Sequence, residues 1–139
     1  MRFMMLMIPK GYEQAAPGTM PDAKAVEAMT KYNESLKEAG VLRALDGPLP
    51  PSMGARVSFS GGKPTVTPGP FPGVTEGLGG YRMIEVKSKE EAVQWASRCP
   101  GSDNEIIEAR QVQAFKDFPA DVQQAAAGFK EMQGRPEGT

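Results

Sequence analysis

The ionisable residues best placed for chemistry lie in one stretch rich in proline and glycine, residues 63–86. Glu76 is the first catalytic candidate, because half-burial beside Tyr81 would suit its carboxyl group to proton transfer near neutral pH. Tyr81 is the second, since its hydroxyl could meet a ligand while its ring packs. The alternatives are a solvated loop carboxylate or helix cap for Glu76 and an ordinary core position for Tyr81.

Four arginines could hold an anionic ligand, because a guanidinium group matches the two oxygens of a carboxylate. Arg110 is the preferred one, since it lies in a predicted strand beside the possible cleft. Surface or dimer ion pairs are the alternative for all four, which are Arg43, Arg56, Arg82 and Arg110. Together with Tyr81, the loop residues Pro70 and Phe71 complete the expected ligand-binding set.

Other kinds of chemistry find little support. The chain has no histidine, and its single cysteine, Cys99, excludes an internal disulfide and fits a reducing cytoplasm. Acids such as Asp103 and Glu105 lack the spacing of metal ligands. The glycines of residues 77–80 lead into a strand, whereas a phosphate-binding loop leads into a helix. We therefore expect no metal and no cofactor.

Length and charge narrow the class of protein further. The 139 residues predict one domain over residues 1–133 and a short tail over residues 134–139. The 17 acidic and 16 basic residues nearly balance, which argues against nucleic-acid binding. The apolar run at residues 3–8 is too short for a signal peptide or a membrane span, so it predicts a buried strand and no membrane association.

The first half of the chain predicts a strand at residues 2–8, which is apolar at almost every position and hence central in its sheet. A helix follows at residues 19–39, and residues 41–53 form an irregular loop rich in proline. Residues 55–60 alternate as a half-buried sheet strand, and Gly61 and Gly62 turn the chain into a short partner strand at residues 65–67.

The second half predicts a strand at residues 80–86 that is apolar on both faces, and therefore central. A helix at residues 89–98 begins with a capping box of Ser88 and Glu91. A more polar edge strand at residues 105–112 and a third helix at residues 117–132 complete the chain.

This order of elements is typical of an α+β, ferredoxin-like split βαβ fold with an extra hairpin and a C-terminal helix. Its two main helices cover one face of the sheet. The other face carries Tyr81, Met83 and apolar residues of the first strand, and needs a cover. A second copy of the chain, packed sheet against sheet as a homodimer, is the simplest cover, and the C-terminal helix is the alternative.

Three segments carry a family resemblance: GPFP at residues 69–72, LGGY at residues 78–81 and VKSKEEAVQWASRCP at residues 86–100. Through them the chain resembles the YCII-related, or DGPF-domain, family over nearly its whole length. The resemblance implies a dimeric α/β barrel. That superfamily includes enzymes and small-molecule binders, and the YCII group has mostly no established reaction, although some members are suspected of catalysis at a His–Asp pair.

The chain departs from this family at polar positions. Pro68 stands where the loop usually begins with Asp, and Gly73 and Thr75 stand where Glu and Lys are common, so that Glu76 alone keeps its acid. Pro50 replaces a residue that is often His or polar. If these groups do chemistry in the family, this chain has lost or moved it.

Three functions follow as hypotheses. The first is a dimer that binds a small molecule between the sheet and the loops at residues 45–53 and 68–80, with a degenerate family site. The second is a small enzyme that performs acid/base chemistry on an anionic or carbonyl metabolite. The third is a structural or protein-interaction module.

Overall fold

Six β-strands and four α-helices make up the part of the chain, residues 1–101 and 103–132, that the computed structural model describes. The strands are β1 (Arg2–Ile8), β2 (Leu42–Asp46), β3 (Ala55–Ser60), β4 (Lys63–Pro68), β5 (Gly80–Glu85) and β6 (Ile106–Gln111). The helices are α1 (Ala23–Glu38), α2 (Lys89–Ser97), α3 (Ala120–Ala125) and α4 (Phe129–Met132).

The two most apolar strands lie at the centre of the main sheet, whose order is β2-β5-β1-β6 with every pair antiparallel. Leu6 of β1 faces Tyr81 of β5 on one side and Glu108 of β6 on the other. With the strands of this sheet counted in chain order, their arrangement is that of the ferredoxin-like plan. The α+β prediction and the central placement of residues 2–8 and 80–86 are confirmed.

The prediction for the second strand of this sheet was wrong. Residues 42–46, expected in a loop, form the edge strand β2, which pairs with β5. Residues 55–60, expected in the main sheet, instead pair only with β4 in a separate two-stranded sheet. Alternation of apolar and polar residues marks a strand with one apolar face, but it does not determine which sheet the strand joins.

Both main helices cover one face of the sheet, and the core lies between them. Alternate residues of β1 and β5 point into it, so Phe3, Met5 and Ile84 are buried together with Leu36 of α1. Ala92 of α2 closes the same cluster. Neither α1 nor α2 lies against the opposite surface of the main sheet. This surface, here named the open face, carries Met4, Leu6, Tyr81 and Met83.

The C-terminal segment differs from its prediction. The single helix expected over residues 117–132 is divided into α3 and α4, and Gly128 lies between them with a φ of 92°. This left-handed conformation interrupts a right-handed helix. The rings of Phe118 and Phe129 hold the two short helices together at 6.0 Å between centroids. The tail predicted at residues 134–139 lies outside the described residues.

The capping box of α2 generates a stability prediction. The Ser88 hydroxyl accepts a hydrogen bond from the Glu91 N–H at 3.1 Å, and the Glu91 carboxylate accepts one from the Lys87 N–H at 2.9 Å. We expect Ser88→Ala to lower the free energy of unfolding in urea by about 1 kcal/mol, because it removes the side-chain acceptor of the Glu91 N–H. Ser97→Ala, at the exposed end of the same helix, is the control and should change it by less than about 0.5 kcal/mol. Equal losses in both variants would contradict the capping role.

Candidate functional site

A cavity of about 540 Å³ lies between α1 and the end of the main sheet where β1 and β2 finish and β5 begins. This volume is within the range of small-molecule sites. Residues 79–82 form one wall, α1 forms the opposite wall, and residues around 100 and 105 close one side. The lining is largely apolar and includes Met7, Val26, Met29, Leu45 and Ile106.

Gly79 shows why the chain can turn so closely beside this cavity. Its N–H donates to the Met7 carbonyl at 2.8 Å, which ties the segment before β5 to the end of β1. A Cβ atom at this position would lie 2.5 Å from the Pro9 ring, closer than such atoms can approach. Glycine is therefore required for this contact.

Arg82 is the charged group of the cavity. In β5 its side chain alternates with Tyr81 and Met83 and joins Ile84 on the helix-covered side of the sheet. It is 6% exposed, and it is the one buried charged side chain among the described residues. Its Nε donates to Asn33 Oδ1 of α1 at 2.7 Å.

The other neighbours of the Arg82 guanidinium are two thioether sulfurs and one aromatic ring. Nη1 lies 3.1 Å from Met7 Sδ and Nη2 lies 3.2 Å from Met29 Sδ. The guanidinium carbon lies 5.1 Å from the centroid of the Tyr32 ring, a distance at which the ring face attracts a cation. Among the described residues, no carboxylate forms a salt bridge with Arg82. The positive charge of Arg82 therefore lies in the cavity wall without a salt bridge to a carboxylate of the described residues.

Two groups around Arg82 stay neutral. Burial raises the pKa of Tyr32 to about 12, and its hydroxyl donates to the Trp95 carbonyl of α2 at 2.7 Å. Burial also raises the pKa of the Cys99 thiol; Arg82 opposes this shift and Glu105 adds to it. A neutral, half-buried thiol is a poor nucleophile, so Cys99 supports packing here.

Tyr81 borders the cavity, but its side chain points to the open face, where it forms a pair with Asp46. The Tyr81 hydroxyl donates to Asp46 Oδ2 at 3.2 Å, across the register of β5 and β2. This hydrogen bond raises the pKa of Tyr81, so the phenol is protonated at neutral pH and donates hydrogen bonds. Asp46 is the last residue of β2, within residues 41–53, which the sequence predicted to be a loop.

The remaining predicted site residues do not line the cavity. Glu76 is exposed in its loop, so the half-burial expected for it is wrong. Phe71 packs its ring against the guanidinium of Arg56 at 4.3 Å, beside Pro70. Arg110 is exposed on β6, 3.9 Å from Glu108. It is four residues beyond Ile106, or roughly 13 Å along the strand, which is too far to reach the cavity wall directly.

A family model, described as the YCII-related domain, matches residues 1–116 of this chain. The chain belongs to the YCII-related family. The match includes the whole main sheet, α1, α2 and the cavity lining, and ends before α3. No curated protein matches the chain. The family has no established function, so the activity has to be inferred from the site itself.

Two further observations concern what this YCII-related chain can hold. Among residues 1–101 and 103–132, no cluster of three acidic or cysteine side chains is placed to hold a metal ion. No helix in the same part of the chain has the length and apolarity to cross a membrane.

Sequence reasoning missed Arg82 as the main residue of the site, although a signal existed. The strand at residues 80–86 was predicted to be apolar on both faces, and Arg82 precedes the apolar residue Ile84 by two positions. Period-two alternation therefore places a guanidinium on a helix-covered face. The predicted cleft was partly right, because residues 45–47 and 79–80 contribute to the cavity, while α1 supplies the wall that was not foreseen.

The Tyr81–Asp46 pair predicts a titration change. We expect Asp46→Ala to lower the pKa of Tyr81 toward its ordinary value of 10, because the variant removes both the hydrogen bond and the nearby negative charge. The Tyr81 ring resonances, followed by NMR between about pH 8 and 12, measure this pKa. Glu76→Ala is the matched control, since it removes an exposed acid of the neighbouring loop. A Tyr81 titration that is the same in both variants would show that the pair does not form.

Proposed function

We propose that this YCII-related protein binds a small organic anion, a carboxylate with an apolar body, in the cavity beside Arg82. The observation that carries the proposal is the burial of this guanidinium at 6% exposure, with no carboxylate of residues 1–101 or 103–132 in a salt bridge with it. Removing a charge from water is costly unless an opposite charge or strong hydrogen bonds replace the water. An anion in the cavity supplies both.

The hydrogen-bonding capacity of Arg82 supports a carboxylate. A guanidinium carries five N–H groups, and the contacts with Asn33, Met7 and Met29 engage three of them. Two of these three acceptors are thioether sulfurs, which accept hydrogen bonds weakly. A carboxylate can take both terminal nitrogens in parallel and displace the sulfur contacts, which are easily moved because methionine has several rotatable bonds.

The rest of the lining supports an apolar body on the ligand. Val26, Leu45 and Ile106 contribute aliphatic surface, and Leu45 lies directly opposite Arg82 in the strand register. Among the described lining residues Arg82 is the only cationic side chain, and the lining also includes the acids Asp46 and Glu105, so it suits one negative charge better than several. These features favour an aromatic or aliphatic monocarboxylate over inorganic phosphate or a nucleotide.

Acid/base chemistry at the Tyr81–Asp46 pair is the second candidate, and this hydrogen bond is the observation that favours it. A protonated phenol can donate a hydrogen bond to the carbonyl group of a metabolite bound at the open face. Because Tyr81 and Arg82 point to opposite faces of the sheet, Arg82 takes no part in this chemistry. Turnover that survives Tyr81→Phe unchanged would remove this candidate.

We also propose that the protein works as a homodimer in which a second copy covers the open face. Met4, Leu6 and Met83 lie there only half-buried, on the side of the sheet opposite to the helices. A sheet face with such residues is covered in stable folds. Helices α1 and α2 lie on the other face, and the C-terminal helices α3 and α4, the alternative cover, form no extensive contact with the main sheet in the described part of the chain.

Binding of a carboxylate predicts a thermal shift that depends on Arg82. We expect benzoate or hexanoate to raise Tm, by roughly 10 °C at a hundredfold excess over the dissociation constant, because binding to the folded state alone adds about 2.7 kcal/mol. Benzamide and hexanamide, which match these probes in shape but carry no charge, should leave Tm unchanged. Arg82→Met should abolish the response to both carboxylates.

Two variants keep this test decisive. Arg110→Met makes the same chemical change at an exposed arginine outside the cavity, and its response should equal that of the wild type. Arg82→Lys keeps a positive charge but loses the bidentate geometry of the guanidinium, so it should weaken carboxylate binding by about tenfold. This variant replaces Arg82→Met in the test if Arg82→Met does not fold. A wild-type protein that responds to neither carboxylate, or equally to the amides, would refute the proposal.

A further inference from the structure

Three sulfur atoms lie together beside the guanidinium of Arg82. Met7 Sδ is 3.1 Å from Nη1, and Met29 Sδ is 3.2 Å from Nη2. The Cys99 thiol lies 3.8 Å from the same Met29 sulfur. The two thioethers therefore contact both terminal nitrogens of Arg82, which are the atoms that a bound carboxylate would use.

Both of these methionines are accessible from the cavity. Met7, near the end of β1, and Met29, on α1, are half-buried, and both line the cavity of about 540 Å³. Met5 lies two residues before Met7 on the same side of the sheet, but it is only 1% exposed in the core. A molecule as small as hydrogen peroxide thus reaches the sulfurs of Met7 and Met29, whereas close packing shields Met5.

Among the three sulfurs, the thioethers are the ones open to oxidation at neutral pH. Burial raises the pKa of the Cys99 thiol, and the thiolate is the form that reacts with peroxide. A thioether has no proton to lose, so its oxidation to the sulfoxide does not depend on such a shift. An oxidant that enters the cavity therefore acts on Met7 and Met29 rather than on Cys99.

We propose that Met7 and Met29 form a modification site for hydrogen peroxide, at which oxidation to methionine sulfoxide closes the anion site of Arg82. In each reaction the O–O bond of the peroxide breaks, one oxygen becomes bonded to sulfur, and the other leaves as water. Sulfur loses two electrons and the peroxide gains them. This inference rests on the carboxylate binding proposed above and describes its regulation.

The closure follows from a change in the hydrogen bonding of Arg82. A thioether sulfur accepts hydrogen bonds weakly, whereas a sulfoxide is polar and its oxygen is a strong acceptor. Because the methionine side chain has several rotatable bonds, its sulfur can withdraw and leave the new oxygen beside Nη1 or Nη2. A carboxylate then has to displace a strong acceptor from the guanidinium, and its affinity falls. Sulfoxide reductases restore the thioether, so the closure is reversible.

Peptide mass spectrometry after treatment with hydrogen peroxide locates the modification. Met7 and Met29 should be oxidised at a rate within about tenfold of that of Met20, which is 82% exposed, and Met5 should be oxidised more slowly than either. Protection of Met7 and Met29 equal to that of Met5 overturns the proposal, whatever the protein binds.

Calorimetric titration with hexanoate tests the closure. Oxidation should weaken the binding of hexanoate to the wild type by about tenfold or more, because the guanidinium loses its free terminal N–H groups. Treatment with methionine sulfoxide reductase should restore the affinity. Met20→Leu, which removes an exposed methionine outside the cavity lining, is the control and should lose affinity on oxidation as the wild type does.

The double variant Met7→Leu, Met29→Leu assigns the effect. Leucine has nearly the volume of methionine but no sulfur, so the affinity of this variant should be the same before and after treatment with peroxide. Cys99 is present in every variant, so its oxidation cannot produce the difference. If the double variant does not fold, Met7→Leu and Met29→Leu are used singly, and at least one should reduce the effect of oxidation.

The outcomes separate the modification from the binding that it regulates. Equal affinity of the wild type for hexanoate before and after oxidation overturns the closure and leaves carboxylate binding intact. The same loss of affinity in the double leucine variant also overturns it. An untreated wild type that does not bind hexanoate overturns carboxylate binding and, with it, the closure.

Discussion

The antiparallel pairing of β5 with β1 is the constraint on which the other features depend. Because the pairing is fixed in register, Arg82 points to the helices and its neighbour Tyr81 points to the open face. A shift by one residue would exchange the two, bringing a phenol into the core and a guanidinium to the surface. The apolar side chains of β1, buried at Phe3 and Met5, make such a shift unfavourable.

The buried guanidinium of Arg82 also organises the helices. Asn33 and Met29 reach it from α1, and the Tyr32 ring lies under it while the Tyr32 hydroxyl binds the Trp95 carbonyl of α2. A single charged side chain thus connects β5 to both helices through contacts that are individually weak. Replacing it by an apolar residue would fill the same space at less electrostatic cost, so stability alone does not explain why an arginine occupies this position.

Much of the fold was predictable because it follows from local patterns. Continuous apolarity placed β1 and β5 at the centre, and the spacing of Ser88 and Glu91 placed the start of α2. The edge strand β2 was not predictable in this way, since it is short, carries exposed residues and is followed closely by Pro48 and Pro50. Its position is set by pairing with β5, and this pairing cannot be predicted from the residues of β2 alone.

The candidate site was less predictable, for a reason that also applies to the hairpin of β3 and β4. Loop composition pointed to Glu76 and Phe71, yet a cavity forms where distant elements leave space, here between α1 and the start of β5. In the same way, the alternation of Val57 and Phe59 predicts an apolar face but not its cover, which can be the same chain or another one.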